Sequence, residues 1–230
     1  MTVDIEEKRA AVFGEEKRAP AIVLTTFGGE GERVYAEIKK ITDRPFTLIA
    51  VGGIKWNDEM TPWAASPVYK GDSGYKGLAD GFLQTLTDKI IPAALKTADI
   101  SPSSVAIAGY SLGGLFALYS GYKSDAFDGV ISASGSLWYD GFCEFADKNP
   151  LSDKVKFVYL SLGDKESLTK NPKLKTVGEN TEKIADVLKN RGKNVFFEYN
   201  AGGHFTAENE RVAKGIAKWL ENRFSAENYR

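Results

Sequence analysis

Val105-Ala106-Ile107-Ala108-Gly109-Tyr110-Ser111-Leu112-Gly113-Gly114 is a short apolar run that ends in the pattern G-x-S-x-G, and Leu115, Phe116, Ala117, Leu118 and Tyr119 follow it. The order reads as strand, sharp turn, helix. A serine at such a turn takes strained backbone angles, and the flanking glycines remove side chains that would collide where the strand folds back into the helix. Ser111 is thereby exposed at the carboxyl end of the strand. The first amides of the following helix have no partners within the helix, so backbone donors and the positive end of the helix dipole sit beside the serine oxygen. Loops without chemistry also contain this pentapeptide. Its position between a β-branched run and an apolar helix is what gives it meaning here.

Working outward, strands alternate with amphipathic helices. Ala21 to Phe27 is an apolar run that enters the glycine loop Gly28-Gly29-Glu30-Gly31, and Val34, Ile38 and Ile41 then recur at helical spacing. Phe46 to Val51 is the next strand. Leu78, Phe82, Leu86 and Ile90 mark a helix that Pro92 is expected to kink or end. Further strands are expected at Gly129–Ser134, Lys156–Leu162 and Asn194–Tyr199, with helices between and after them. Near-continuous apolar strands alternating with helices imply a parallel sheet covered on both faces, with ligands bound at the strands' carboxyl ends. The expected fold class is α/β, with a mainly parallel sheet of six to seven strands. Residues 1–19 read as a charged surface arm, and 20–230 as one domain.

The totals narrow the function. The 230 residues carry 30 Lys and Arg against 31 Asp and Glu, so the formal charge is −1 and there is no basic patch for nucleic acid or an anionic membrane. A small-molecule substrate is the expected partner. Cys143 is the only cysteine and reads as a small buried hydrophobe, which suits a reducing compartment. The amino-terminal stretch resembles no signal peptide and no segment is apolar enough to span a bilayer, so a cytoplasmic setting is expected.

A serine hydroxyl needs a base to become a nucleophile, and this chain has a single histidine, His204, which follows Gly203 after the last strand. If a histidine activates Ser111, it is His204. A carboxylate should hold the imidazole from its far side, and both Asp164 and Glu166 lie between serine and histidine in chain order. Glu166 is preferred for its reach and its distance along the loop, while Asp164 has a ready use in turn formation beside Gly163. The backbone amides of Leu112 and Gly28 are the expected oxyanion donors, each worth about 3 to 4 kcal/mol in the transition state. The glycine loop lacks the spacing of a nucleotide-phosphate cradle, and no cofactor or metal is expected. Residues 54–74 form a long irregular stretch with Trp56, Trp63 and Tyr69, and Trp138 and Tyr139 form a second aromatic loop. Both stretches would either roof the core or line a pocket.

Gly109-Tyr110-Ser111-Leu112-Gly113-Gly114, Ser134-Gly135-Ser136-Leu137-Trp138, Gly163-Asp164-Lys165-Glu166 and Gly203-His204 together resemble the esterase family of α/β-hydrolases that includes siderophore (enterobactin-type) esterases and S-formylglutathione hydrolases. The resemblance runs from about Ala21 onward and is greater to the siderophore branch. It implies a nucleophile at Ser111, a base at His204, an acid at Glu166, and hydrolysis of carboxylic esters through an acyl-serine. It also implies a pocket for the ester, with Trp56, Trp63, Tyr110, Trp138 and Tyr139 as its candidate walls. The rival readings are thioester or acyl-transfer chemistry on the same residues, and a binding protein of this fold without turnover.

Overall fold

The computed structural model describes residues 1–14, 16–68, 71 and 73–227. Tyr69, one of the aromatic residues singled out above, lies outside them. One eight-stranded sheet organises the chain. Its strands are β1 (Thr2–Ile5), β2 (Lys8–Phe13), β3 (Ala21–Thr25), β4 (Thr47–Gly52), β7 (Val105–Tyr110), β8 (Gly129–Ala133), β9 (Phe157–Gly163) and β10 (Asn194–Asn200), and β5 (Ala64–Ala65) pairs only with β6 (Tyr75–Lys76). The spatial order is β1-β2-β4-β3-β7-β8-β9-β10. The six strands from β4 to β10 in that order are mutually parallel, while β1 and β2 add antiparallel pairing at one edge.

Eight strands correct the expected six to seven, and the two-stranded edge corrects the reading of residues 1–19 as an arm. The reason is visible in β2. Lys8, Ala10 and Val12 point inward in strict alternation, and Lys8 is buried. Its ammonium is satisfied by the Glu59 carboxylate at 2.7 Å and the Gly53 carbonyl at 3.1 Å, so a charge occupies a position that the hydrophobic pattern should mark.

Helices cover both faces. α1 (Gly31–Ile41) and α8 (Glu208–Glu227) pack together on one side. α3 (Ala79–Thr85), α5 (Leu112–Lys123), α6 (Phe142–Lys148) and α7 (Val177–Asn190) occupy the other. Along β7, Ala106 and Ala108 face the α1–α8 layer while Ile107 faces the α5 layer, the period of two expected of a strand buried on both faces. Pro92 does not end the helix that begins at Ala79. A π-helical turn over Leu86–Ile90 widens the path just before Pro92, and α4 (Ile91–Thr97) continues from it without a break. The stretch after β4 is less irregular than expected, since α2 (Trp56–Glu59) and the β5–β6 ladder order it. No helix among the described residues is long and apolar enough to cross a membrane.

Candidate active site

The site is assembled at the carboxyl ends of β7, β9 and β10. Ser111 follows β7 with φ 57° and ψ −123°, a left-handed conformation that a non-glycine residue holds only under constraint. The constraint is the reversal of the chain from β7 into α5. A Cβ on Gly109 would lie 2.2 Å from the Gly113 carbonyl oxygen, so strand and helix approach too closely there for any side chain. The Ser111 N–H donates to the Ala133 carbonyl at 3.3 Å, and its carbonyl accepts the Ser136 N–H at 2.9 Å, which ties the turn to β8 and the loop after it.

Nε2 of His204 lies 3.0 Å from Ser111 Oγ, and Nδ1 lies 2.7 Å from Glu166 Oε2. The three side chains form one line of hydrogen bonds, with serine and carboxylate on opposite nitrogens of the ring. Asp164 takes no part in it: its Oδ1 accepts the Gly202 N–H at 2.8 Å and staples the acid loop to the histidine loop. Ser136 Oγ lies 3.4 Å from Ser111 Oγ on the other side. Burial pushes the Glu166 carboxyl upward, but the hydrogen bond and charge of His204, with the Gly163 N–H and Ser134, outweigh it and hold the group below the ordinary carboxylate value. Glu166 is therefore an acceptor at neutral pH.

A cavity of about 700 Å³ opens over Ser111. Trp56, Tyr75, Tyr110, Leu112 and Trp138 are among its walls, and Phe27, Leu168 and Phe205, which are 75%, 79% and 84% exposed, reach it from three different loops. Two expected wall residues are elsewhere. Trp63 packs edge-on or tilted against Tyr119, Tyr139 and Phe145 and donates its indole N–H to the Asp140 carbonyl at 2.8 Å. Tyr139 is buried and donates its hydroxyl to the Trp63 carbonyl at 2.5 Å. Consecutive residues in the second aromatic loop diverge, so Trp138 takes the cavity side and Tyr139 enters the core.

The Leu112 N–H, at the start of α5, has no acceptor among the described residues and sits beside Ser111. Gly28 differs from expectation. Its N–H donates to the Glu30 carboxylate at 2.7 Å, and Thr26, Phe27 and Glu30, but not Gly28, are the residues of this loop that line the cavity. The Phe27 N–H has no acceptor among the described residues.

Arg211 is a residue the motifs did not reveal. It is 2% exposed on α8 and donates to Glu166 Oε1 at 3.0 Å, Ser134 Oγ at 2.9 Å and Tyr110 Oη at 3.3 Å. It also donates to the carbonyls of Ala201 and Gly203, each at 3.0 Å. The sequence does carry a signal for it. Arg211 falls four residues before Gly215 and eight before Trp219, on the face of the last helix that packs against the sheet. Tyr110 donates its hydroxyl to the His204 carbonyl, and burial pushes its phenol up to about 12.

This arrangement can supply an activated oxygen nucleophile, a proton acceptor held in one tautomer, and backbone donors for a developing oxyanion. Siderophore hydrolase EstA from Aspergillus nidulans superposes with a TM-score of 0.78 at 17% identity, over 96% of this chain and 93% of that one. The enterobactin esterase FES from Shigella flexneri, solved in the presence of enterobactin, superposes with a TM-score of 0.70 at 19% identity, over 96% of this chain and 58% of that one. In sequence, the uncharacterized protein YbbA from Bacillus subtilis (strain 168) is 28% identical over 138 residues, which span 59% of this chain and 55% of that protein. The model of the family described as "Putative esterase" matches residues 40–209, the larger part of the chain and most of the site. The chain belongs to that esterase family, on the α/β-hydrolase fold.

Proposed function

We propose that this protein is a serine esterase that hydrolyses carboxylic esters of small molecules through an acyl-serine intermediate. The observation that carries this reading is the unbroken line from Ser111 Oγ through both nitrogens of His204 to Glu166. Ser111 Oγ attacks the ester carbonyl carbon as its proton passes to Nε2 of His204. Glu166 accepts the Nδ1 hydrogen bond, fixes the tautomer and stabilises the imidazolium. The carbonyl oxygen becomes an oxyanion held by the Leu112 amide and a second amide from the loop after β3. Phe27 supports that second role better than Gly28, because its N–H is uncommitted and it borders the cavity. Collapse of the tetrahedral intermediate expels the alcohol, which takes the proton from His204. A water then repeats the sequence on the acyl-serine, with His204 again as base, and releases the acid and the free serine.

The walls favour an ester with a bulky aromatic or apolar part, since Trp56, Tyr75 and Trp138 surround the cavity and the mouth is apolar. EstA and FES, which are named for siderophore substrates, make such esters the first class to try. The unpaired Cys143 supports a reducing compartment such as the cytoplasm as the setting. The test is a panel of chromogenic aryl esters with acyl groups of graded size, assayed with the wild type and with Ser111→Ala. Turnover that disappears in the variant while its circular dichroism is unchanged supports the reading. Equal turnover by both proteins overturns it.

A further inference from the structure

We propose that Arg211 is the positioning residue of this site: its guanidinium fixes Glu166 and the His204 loop together, and its charge sets the lowest pH at which the Glu166–His204 pair accepts a proton from Ser111. The inference rests on the serine-esterase reading above and deepens it.

The geometry is unusual for one side chain. Arg211 reaches residues at the carboxyl ends of four adjacent strands: Tyr110 at the end of β7, Ser134 after β8, Glu166 after β9, and the carbonyls of Ala201 and Gly203 after β10. Nη1 faces Tyr110, Ser134 and Glu166 and Nη2 faces the two carbonyls, so the four hydrogens at the tip of the planar fork serve five acceptors with one hydrogen shared, a spread that the three hydrogens of a single ammonium do not match. The contact with Glu166 divides the carboxylate. Oε1 is taken by Arg211 at 3.0 Å and by the Gly163 N–H at 2.7 Å, which leaves Oε2 for His204. Gly163 makes room for this arrangement, because a Cβ there would fall 2.9 Å from Nη1 of Arg211. The loop bearing the base is held in the same way, since the carbonyl of Gly203, next to His204, accepts from Nη2.

The charge has a separate consequence. Side chains of Arg211 and Glu166 are 1% and 4% exposed, so little solvent screens them. The other charged or titratable groups around the pair are Tyr110 on β7, Asp164 and Lys165 beside Glu166, Glu208 on α8 and Glu30 before α1. Of these, Tyr110 is neutral at ordinary pH, and the others lie on loops or helix ends where they are at least partly open to solvent. Arg211 is the buried cation. A fixed positive charge at this distance opposes the addition of a proton to the pair, so its removal favours the protonated form.

The experiment compares Arg211→Gln, which keeps donors but removes the charge, with Arg211→Lys, which keeps the charge but loses the fork. Two readouts are taken: the acid limb of kcat/KM against pH on an aryl ester, and the NMR titration of the histidine ring, which His204 alone provides in this chain. The proposal expects both midpoints to move upward by about one pH unit in Arg211→Gln, the scale of one charge removed at close range in a partly shielded site. In Arg211→Lys they stay near the wild type. Both variants lose kcat by tenfold or more, because neither holds the two loops in register. If Arg211→Gln does not fold, Arg211→Met is the neutral comparison of similar length. Midpoints unchanged in the neutral variant, with kcat lost, would reduce Arg211 to a structural brace and overturn the proposal. The NMR readout needs no turnover: a wild type that fails to cleave esters sinks the esterase reading, while the histidine titration still decides the role of the charge.

Discussion

Glu166 Oε2 lies 2.7 Å from Nδ1 of His204. The acid loop thus delivers its second carboxylate, not its first, to the ring, because Asp164 is spent two residues earlier on the Gly202 N–H. Gly163 to Glu166 forms a tight turn closed by the Glu166 N–H donating to the Gly163 carbonyl at 3.1 Å, and this turn swings the longer side chain back over the sheet.

That division of labour predicts unequal effects. Glu166→Gln should lower kcat/KM by on the order of 10³-fold, since the amide can no longer hold the same tautomer or stabilise the imidazolium. Asp164→Asn keeps an acceptor for Gly202 and should cost less than about tenfold. Steady-state kinetics on one aryl ester compares them, and a greater loss from Asp164→Asn would contradict the assignment.

Glu166 also links stability to pH. Its folded carboxyl is held below its ordinary value of 4.5, so its contribution is complete above that value and is lost as the pH falls through the depressed one. The urea midpoint of the wild type should therefore drop between pH 6 and pH 3 by more than that of Glu166→Gln does. An equal drop would show that the carboxylate adds nothing in the fold.

Of the aromatic residues, Trp138 borders the cavity and Tyr139 does not. Trp138→Ala should raise KM for a bulky aryl ester by about tenfold, the loss of one well-packed aromatic contact. Tyr139→Phe should leave KM unchanged and destabilise the fold by about 1 to 2 kcal/mol, through the orphaned Trp63 carbonyl. Thermal melts and Michaelis plots of the two variants separate these effects.

The glycine of the serine turn is a stability determinant. A Cβ at Gly109 would sit 2.2 Å from backbone on α5, and neither partner is a flexible side chain. Gly109→Ala should shift α5 and cost about 3 kcal/mol or more, with ester turnover lost in parallel. A variant with wild-type melting and activity would refute that packing argument.

How much of this was legible in the sequence depends on whether a residue's signal is local. Gly109-Tyr110-Ser111 declares its own backbone geometry, and the chain has no second histidine to compete with His204, so both positions can be read from the sequence alone. The parallel strands were equally plain because apolar runs buried on both faces need no partner to be recognised. Lys8 shows the opposite case. Its inward position in β2 is made possible by Glu59, 51 residues later, and no local pattern announces such a pair. The fates of Trp63 and Tyr139 were decided by which side of a loop each side chain takes, and an irregular loop has no period to read. Arg211 lay between these cases: its helical register marks it as inward-facing, but its partners come from four separate loops.

The most direct test of the central claim is reaction of the folded protein with a fluorophosphonate probe, followed by intact mass and peptide mapping. The account predicts one adduct, on Ser111, absent from Ser111→Ala and formed at least about 100-fold more slowly in His204→Ala, where the serine has lost its base. An unlabelled wild type, or an adduct that persists in Ser111→Ala, would contradict it.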